Sequence, residues 1–141
     1  MTFTTLQPEG WQSPKKILVI LAHPDDPEFF IGGSIFRWIK AGHQVDYCLL
    51  TRGDKGSDDI KLSAEQIMET RMQEQRKAAD VLGVEQVIFL KELDGFLNFN
   101  ERIQKQVVRV IRQVKPEIVV SCDPQNYCLR GLYINHSDHR E

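Results

Sequence analysis

The sequence predicts an α/β protein with three layers, in which helices cover both faces of a mostly parallel sheet. Short apolar runs, which are typical of buried strands, alternate with longer segments of helical periodicity. The apolar runs are continuous, as expected for strands covered on both faces. Read in order, the elements give βαβαβαβ, the pattern of a parallel sheet with crossover helices.

The first strand is predicted over Lys16–Ala22, which is an uninterrupted apolar run ending at a turn. A helix over Phe29–Ala41 follows, and Gly42 suits its C-terminal end. The apolar positions of this helix are Phe29, Ile31, Ile35, Phe36, Trp38 and Ile39. The second strand is Val45–Thr51. The polar, glycine-rich segment Thr51–Asp59 after it predicts a loop at the strand's C-terminal end.

The second half of the chain continues the alternation. Its predicted elements are a helix over Ser63–Leu82, a strand over Gln86–Leu90, a helix over Asn100–Val114 and a strand over Glu117–Cys122. Ser63 and Gln66 have capping-box spacing, and Gly83 suits the C-terminal end of that helix. Pro116 separates the last helix from the last strand.

Composition excludes several classes of function. A chain of 141 residues predicts one domain, which we place at residues 15–141 after a polar N-terminal arm at 1–14. The net charge of −2 offers no basic surface for nucleic acid. The longest apolar run is too short to span a membrane, and the N-terminus does not resemble a signal peptide. We therefore expect a cytoplasmic protein.

The cysteines do not predict a structural role. Their number, three, is odd, and Cys122 and Cys128 lack CxxC spacing. This pattern argues against a disulfide framework and against a cysteine zinc site. Cys48 and Cys122 lie in apolar runs, so we expect buried thiols.

Two polar clusters follow predicted strands and carry the candidate chemistry. The first is residues 23–28 (HPDDPE), directly after the first strand, and the second is residues 136–139 (HSDH), after the loop that follows the fourth strand. The carboxyl ends of parallel strands meet at one edge of a sheet, where α/β proteins bind their ligands. The fold can therefore bring the two clusters together.

The first cluster has the spacing of a metal chelate. Catalytic zinc takes three nitrogen or oxygen ligands and leaves one position for water. Residues three apart in a turn entering a helix share a face, so His23 and Asp26 can bind one ion. His139 would complete the set, Asp25 would be free to act as a base, and His136 could face the site from the other side. Asp26 before Pro27 also suits a helix N-cap.

Structural interpretations compete with these assignments. Without the second cluster, the Asp-Asp pair would be better explained as a helix cap. Arg71 and Glu74 lie three apart on a helix and could form only a surface ion pair. Glu28 could simply be an acidic residue of the first helical turn that the helix dipole stabilises. We interpret His43, after Gly42, as a solvated turn residue, and Trp11 and Trp38 as packing residues.

The motifs together resemble those of the LmbE-like, or PIG-L-type, zinc-dependent N-acetylglucosamine deacetylases. The segments that carry the resemblance are AHPDDPEF, TRGDKGS, RMQEQRKAADVLGV, LDG at 93–95 and NHSDHRE, from Lys16 to Glu141. The resemblance implies a Rossmann-like fold, one zinc ion per chain with Fe²⁺ as an alternative, and a small amino-sugar substrate. Members of this family usually continue past the last motif, so we expect a C-terminally truncated sheet whose open edge favours homo-oligomers.

The resemblance also implies individual roles. The metal ligands correspond to His23, Asp26 and His139. Asp25 corresponds to the general base and His136 to the residue that stabilises the oxyanion. Asp138 is expected to orient a histidine. Arg71 and Asp94 correspond to positions that contact the substrate in some members.

Three alternatives remain open from the sequence. Two histidines and a carboxylate also form the iron site of non-haem oxygenases, although such enzymes need no base like Asp25. A non-catalytic Rossmann-like nucleotide-binding module is another alternative, but G-x-G-x-x-G after the first strand and a P-loop are both missing. An inactive, truncated relative is the third.

Overall fold

Four parallel strands and three helices form the body of the protein within residues 10–125, 127–129 and 133–141, which a computed structural model describes. The elements are β1 (Lys16–Leu21), α1 (Asp26–Lys40), β2 (Gln44–Thr51), α2 (Ala64–Leu82), β3 (Gln86–Glu92), α3 (Glu101–Val114), β4 (Ile118–Val120), β5 (Cys128–Leu129), β6 (Tyr133–Ile134) and a 3₁₀ helix (Ser137–Arg140). Most of the predicted arm at residues 1–14 lies outside the described residues.

The sheet has the strand order β3-β2-β1-β4, and all its pairings are parallel. The chain moves outward from β1 to β2 and β3 and then returns to the other side of β1. The order therefore reverses between β1 and β4, which opens a crevice at their carboxyl ends. The predicted parallel α/β fold is confirmed.

Two apolar layers flank the sheet. Ile17, Val19 and Leu21 of β1 pack in one cluster with Ile35 of α1 and Ala79 of α2. The alternate β1 residues, Leu18 and Ile20, pack on the other face with Val110 and Val114 of α3. Side chains of a strand alternate between faces, so β1 is covered on both sides, as its continuous apolar run predicts.

Helix α1 begins earlier than the apolar spacing predicts. It starts at Asp26 rather than Phe29, and the N-cap is Asp25, so the prediction of Asp26 as N-cap is wrong. The Asp26 carboxylate instead accepts a hydrogen bond from the backbone of His23, at 2.8 Å. Phe29, expected on the apolar stripe, is 75% exposed. A break in helical geometry at Ile31 separates the first turn from the helix body.

Helices α2 and α3 begin where side chains bind the free backbone N–H groups. The Ser63 hydroxyl accepts from the backbone of Gln66, whose side chain accepts from the backbone of Ser63, so the predicted capping box is confirmed. Gly83 ends α2 in the left-handed conformation. The Asn100 side chain caps α3. Strand β4 is shorter than predicted and is confined to Ile118–Val120.

His43 is buried, and the prediction of a solvated turn residue is wrong. The residue is only 4% exposed, and its Nδ1 accepts a hydrogen bond from the backbone N–H of Lys15, at 2.9 Å. Trp11 covers the ring edge-on, with 5.1 Å between centroids, and also packs near Trp38. The packing role predicted for the two tryptophans is confirmed.

The segment between β4 and the second polar cluster contains elements that the sequence did not predict. Strands β5 and β6 pair antiparallel, and the 3₁₀ helix after them carries the cluster. Cys48 is buried as expected, whereas Cys122 is only partly buried. Among the described residues, none of the helices has the length and apolar character needed to cross a bilayer.

Candidate metal centre

The first polar cluster forms a tight turn between β1 and α1. Asp25 adopts the left-handed conformation (φ 88°), and Asp26 then enters the helix. The Asp26 side chain turns back toward His23 and is almost completely buried, with 7% of it exposed. The Asp25 side chain points to the surface and is 65% exposed. Adjacent carboxylates of the same chemistry therefore have opposite environments.

Three side chains from the two clusters converge on one point. Asp26 Oδ2 lies 3.4 Å from His23 Nδ1 and 3.1 Å from His139 Nε2. The donor atoms of the three residues all lie within 4.8 Å of one another. Tetrahedral zinc with bonds of about 2.0–2.2 Å places its ligand atoms roughly 3.3–3.5 Å apart. The donor set of two imidazoles and one carboxylate, and its spacing, fit a divalent metal.

The second nitrogen of each of these imidazoles has its own partner. His23 Nε2 lies 3.0 Å from Asp138 Oδ2 and 3.2 Å from Asp94 Oδ1. His139 Nδ1 lies 3.1 Å from Asn135 Oδ1. Oxygen acceptors on the outer nitrogens fix the ring orientation and leave Nδ1 of His23 and Nε2 of His139 facing Asp26. This is the usual arrangement around metal-binding histidines.

The ionisable groups of the site shift one another's pKa values. Burial disfavours a charged imidazole, but hydrogen bonds to Asp26, Asp94 and Asp138 raise the pKa of His23 to about 10. Burial opposes ionisation of Asp26, yet the hydrogen bonds from His139 and His23 hold its pKa well below the ordinary value. The hydrogen bond from His23 likewise lowers the pKa of Asp94. The neighbouring carboxylates therefore favour the positively charged form of His23.

Asp138 joins the second cluster to the rest of the site. Its side chain is fully buried, and its carboxylate accepts from the backbone of Gly95 at 2.7 Å and of Leu97 at 3.2 Å, in addition to facing His23. His136 Nδ1 accepts from the backbone of Asp138, and its ring lies edge-on to His23 with 4.7 Å between centroids. Asp138 thus lies behind His23, where a residue that orients this ring would be expected.

Six of the eight residues predicted from the sequence line one open cleft. These are His23, Asp25, Arg71, Asp94, His136 and His139. The other two, Asp26 and Asp138, are buried beside it. The structure therefore brings all eight predicted residues together.

Arg71 and Asp94, the two predicted substrate contacts, also bind other residues of the site. Arg71 donates to the Asp25 carboxylate at 2.7 Å and to the backbone carbonyl of Pro24 at 2.9 Å. Its contact with Glu74 is longer, at 3.6 Å. Asp94 faces His23. Both residues contact other members of the site while still lining the cleft.

Sequence reasoning missed two buried polar residues near the site. Asn135 precedes His139 by four residues and contacts its ring, and Gln75 follows Arg71 by four residues and contacts Asp25. The spacing of four residues between Asn135 and His139 was an available signal for the first of these contacts. The long chain separation between Gln75 and Asp25 concealed that contact.

Comparisons with known proteins agree on one family. The family described as PIG-L, GlcNAc-PI de-N-acetylase, matches residues 18–141. The diacetylchitobiose deacetylase of Thermococcus kodakarensis is 35% identical over 132 residues, which is 94% of this chain and 48% of that protein.

Solved structures give the same result. The N,N'-diacetylchitobiose deacetylase of Pyrococcus horikoshii, solved with an inhibitor, superposes with a TM-score of 0.82 at 32% identity, over 89% of this chain and 45% of its own. GalB, the 4-carboxy-2-hydroxymuconate hydratase of Pseudomonas putida KT2440, superposes with a TM-score of 0.70 at 27% identity, over 80% of this chain and 50% of its own. The chain spans about half the length of these relatives. Over that span, it belongs to the PIG-L (GlcNAc-PI de-N-acetylase) family.

Proposed function

We propose that this chain forms the catalytic part of a metal-dependent hydrolase that removes the N-acetyl group from an N-acetylglucosamine-type substrate. The products are acetate and a free amine. The observation that carries the proposal is the three-residue donor set of His23, Asp26 and His139 beside an exposed carboxylate, Asp25, in the same cleft. The deacetylase names of the relatives support the substrate class.

We assign a single metal ion to His23, Asp26 and His139. Zinc is the first choice for two imidazoles and a carboxylate in a tetrahedral arrangement, and Fe²⁺ is the alternative. Bound there, the ion would make a water molecule more acidic and polarise the acetyl carbonyl. The hydrogen bonds to the outer imidazole nitrogens would keep both rings in the orientation that this requires.

The protein's own groups supply the proton transfers. Asp25, whose carboxylate is exposed to the cleft, accepts a proton from a water molecule while the oxygen of that water bonds to the acetyl carbon. His136 donates a hydrogen bond to the oxyanion that develops on the carbonyl. Asp25 then returns the proton to the nitrogen as the C–N bond breaks. Arg71 binds Asp25 Oδ2, and the other carboxylate oxygen, which lies outside the donor set, is the one assigned to this shuttle.

Arg71 and Asp94 remain candidates for contacts with the sugar because both line the cleft. Lys55 lines the same cleft from the loop after β2. These residues leave a polar opening of mixed charge, which suits a neutral carbohydrate with many hydroxyl groups.

Water addition to a carbon–carbon double bond is the second candidate, because the hydratase GalB shares the fold at 27% identity. Both reactions need an activated water and a base. They differ in the product, since only amide hydrolysis releases a primary amine. The iron-oxygenase and nucleotide-module alternatives predict, respectively, oxygen consumption and stabilisation by NAD or ATP without any effect of zinc.

The test is the release of primary amine from N-acetylglucosamine and N,N'-diacetylchitobiose by the full 141-residue chain. Zinc-loaded protein should release amine, and protein treated with a chelator should not. Asp25→Ala should remain inactive after zinc is restored. Hydration of a dienoic acid without amine release would favour the second candidate and contradict the first.

A further inference from the structure

Gln75 is a buried amide that faces the turn carrying Asp25. It lies on α2 and is only 2% exposed. Its Oε1 accepts a hydrogen bond from the backbone N–H of Asp25, at 2.6 Å. No role follows for this residue from the sequence motifs or from the reaction proposed above.

The turn needs such a partner because Asp25 is strained. A non-glycine residue at φ 88° adopts a conformation that side chains disfavour. Asp25 is also the N-cap of α1 but makes no capping bond with its side chain. Its own side chain therefore does not fix this conformation, whereas its N–H is bound from α2 by Gln75.

The orientation of the Gln75 amide is fixed by a second layer. Its Nε2 donates to both carboxylate oxygens of Glu28, at 3.1 and 3.0 Å. The hydroxyl of Tyr47 donates to the same carboxylate, at 3.3 Å. Burial and the charge of Glu28 raise the pKa of Tyr47, so the phenol stays protonated as a donor. Because Nε2 faces a carboxylate, Oε1 has to face Asp25.

Arg71 binds the other side of the same peptide bond. It lies one helical turn before Gln75, on the same face of α2. Its guanidinium donates to the carbonyl of Pro24, while Gln75 accepts from the N–H of Asp25. Helix α2 therefore holds both polar groups of the Pro24–Asp25 peptide bond. The same guanidinium also holds the Asp25 carboxylate.

We propose that Gln75 is a positioning residue that, together with Arg71, locks the plane of the Pro24–Asp25 peptide and thereby aims the Asp25 carboxylate into the cleft. The inference rests on the function proposed above, in which Asp25 moves the proton. Gln75 acts through Asp25 and makes no contact with the substrate. Loss of its hydrogen bond frees the peptide to rotate and relieves the left-handed conformation.

The first experiment compares Gln75→Leu with Gln73→Leu in the full chain. Gln73 lies on the exposed side of the same helix and serves as the matched control. Hydrogen exchange at the Asp25 amide, followed by NMR in zinc-loaded protein, should become at least about tenfold faster in Gln75→Leu but not in Gln73→Leu. Equal exchange in Gln75→Leu and the wild type would overturn the proposal, and this readout does not require turnover.

Kinetic measurements, and a double variant that exchanges the side chains at positions 28 and 75, distinguish positioning of Asp25 from a general contribution of Gln75 to stability. Displacing a catalytic group by about 1 Å costs about 100-fold in rate, so kcat of Gln75→Leu should fall by that order with KM and bound zinc nearly unchanged. In the double variant Glu28→Gln/Gln75→Glu, the carboxylate introduced at position 75 can still accept from the Asp25 N–H. The amide introduced at position 28 can donate to that carboxylate, which reverses the original bond, while its oxygen accepts from the Tyr47 hydroxyl. Rescue of kcat and of Asp25 protection by the swap supports the proposal. A swap no better than Gln75→Glu alone contradicts it.

If the wild type shows a protected Asp25 amide but releases no amine, the function proposed above fails and the structural lock remains. If the wild type releases amine and Gln75→Leu does so at the same rate, the positioning role fails and the deacetylase remains. The two failures are therefore distinguishable.

Discussion

The two segments that carry the candidate metal centre are held in place in different ways. The turn with His23 and Asp26 lies between a buried strand and a helix, and α2 binds its backbone. The segment with His136 and His139 forms a single 3₁₀ turn. It is tied to the body of the protein by side chains, chiefly by Asp138, which accepts from the backbone of Gly95 and Leu97.

This difference suggests how the site divides its tasks. The first segment holds one imidazole and one carboxylate in fixed positions through regular secondary structure. The second brings the other imidazole across the crevice, and its position depends on a few hydrogen bonds. Apart from the ligands themselves, we therefore expect metal affinity to depend most on the hydrogen bonds that hold the second segment, and the chemistry to depend most on Asp25 in the first.

Removing a ligand should have the largest effect. Asp26→Ala and His139→Ala should each lose stoichiometric zinc and all measurable deacetylation, because two ligands do not hold the ion. Metal content after dialysis, measured by mass spectrometry, checks this, with the exposed loop variant Asp58→Ala as control. Full zinc content in His139→Ala would show that the second segment does not contribute a ligand.

Removing the base should be the next largest effect. Asp25→Ala should lower kcat by about 10²–10⁴-fold, the usual contribution of a general base, while bound zinc stays at one ion per chain. Asp25 lies outside the donor set and is 65% exposed, so its loss leaves the ligands intact. Near-normal turnover in zinc-loaded Asp25→Ala would remove this residue from the mechanism.

Weakening the ties of the second segment should reduce affinity without abolishing it. Asp138→Asn and Asn135→Ala should each lower zinc affinity by about 10–100-fold, the range for partners that orient metal-binding histidines. Asp138→Asn should have the larger effect because that carboxylate contacts His23 and the 94–97 loop. Competition with a chromophoric chelator measures both constants. Unchanged affinities would mean that the second segment is held by other contacts.

A pH effect on the metal-free protein is the smallest of the four. Hydrogen bonds to Asp26, Asp94 and Asp138 outweigh burial and raise the pKa of His23 from 6.5 to about 10. The resulting stabilisation is fully present at pH values below the pKa of His23 in the unfolded chain. It is lost as pH rises through the pKa of His23 in the folded protein. The free energy of unfolding of the metal-free protein should therefore fall as pH rises from about 6.5 to about 8.5. This range lies at or below the ordinary pKa values of thiols and phenols, so their titration contributes little.

Urea denaturation at several pH values measures this slope. Zinc-loaded protein should lack it, because the ion occupies the position of the proton at His23. His23→Gln should also lack it. A stability that does not change across this range in metal-free wild type would contradict the coupling between His23 and its three carboxylates.

The fold was largely predictable because its signals are local. Continuous apolar runs predicted the buried strands, and Ser63, Gln66 and Gly83 predicted the ends of α2, since strand burial and capping depend on neighbouring residues. The start of α1 was not predictable in this way. The Asp26 side chain binds the backbone of His23 rather than capping the helix, and the first turn precedes the apolar spacing.

The site residues also divide into those with a local signal in the sequence and those without one. His23, Asp26 and His139 were found because two short motifs follow strands that end at one edge of a parallel sheet. Gln75 and His43 were missed because each acquires its role from a partner that is distant in the sequence. His43, for example, packs against Trp11 and accepts a hydrogen bond from the backbone of Lys15. Such pairings leave no periodic signal in the sequence.

Anomalous diffraction at the zinc edge, from crystals of the zinc-loaded chain, locates the ion directly. We expect one zinc ion bonded to His23 Nδ1, an Asp26 oxygen and His139 Nε2, with Asp25 unbonded and facing the cleft. The alternative group of His23, His136 and Asp138 also brings three donor atoms together. Zinc at that group, or a direct bond between zinc and Asp25, would show that the assigned ligands and base are wrong.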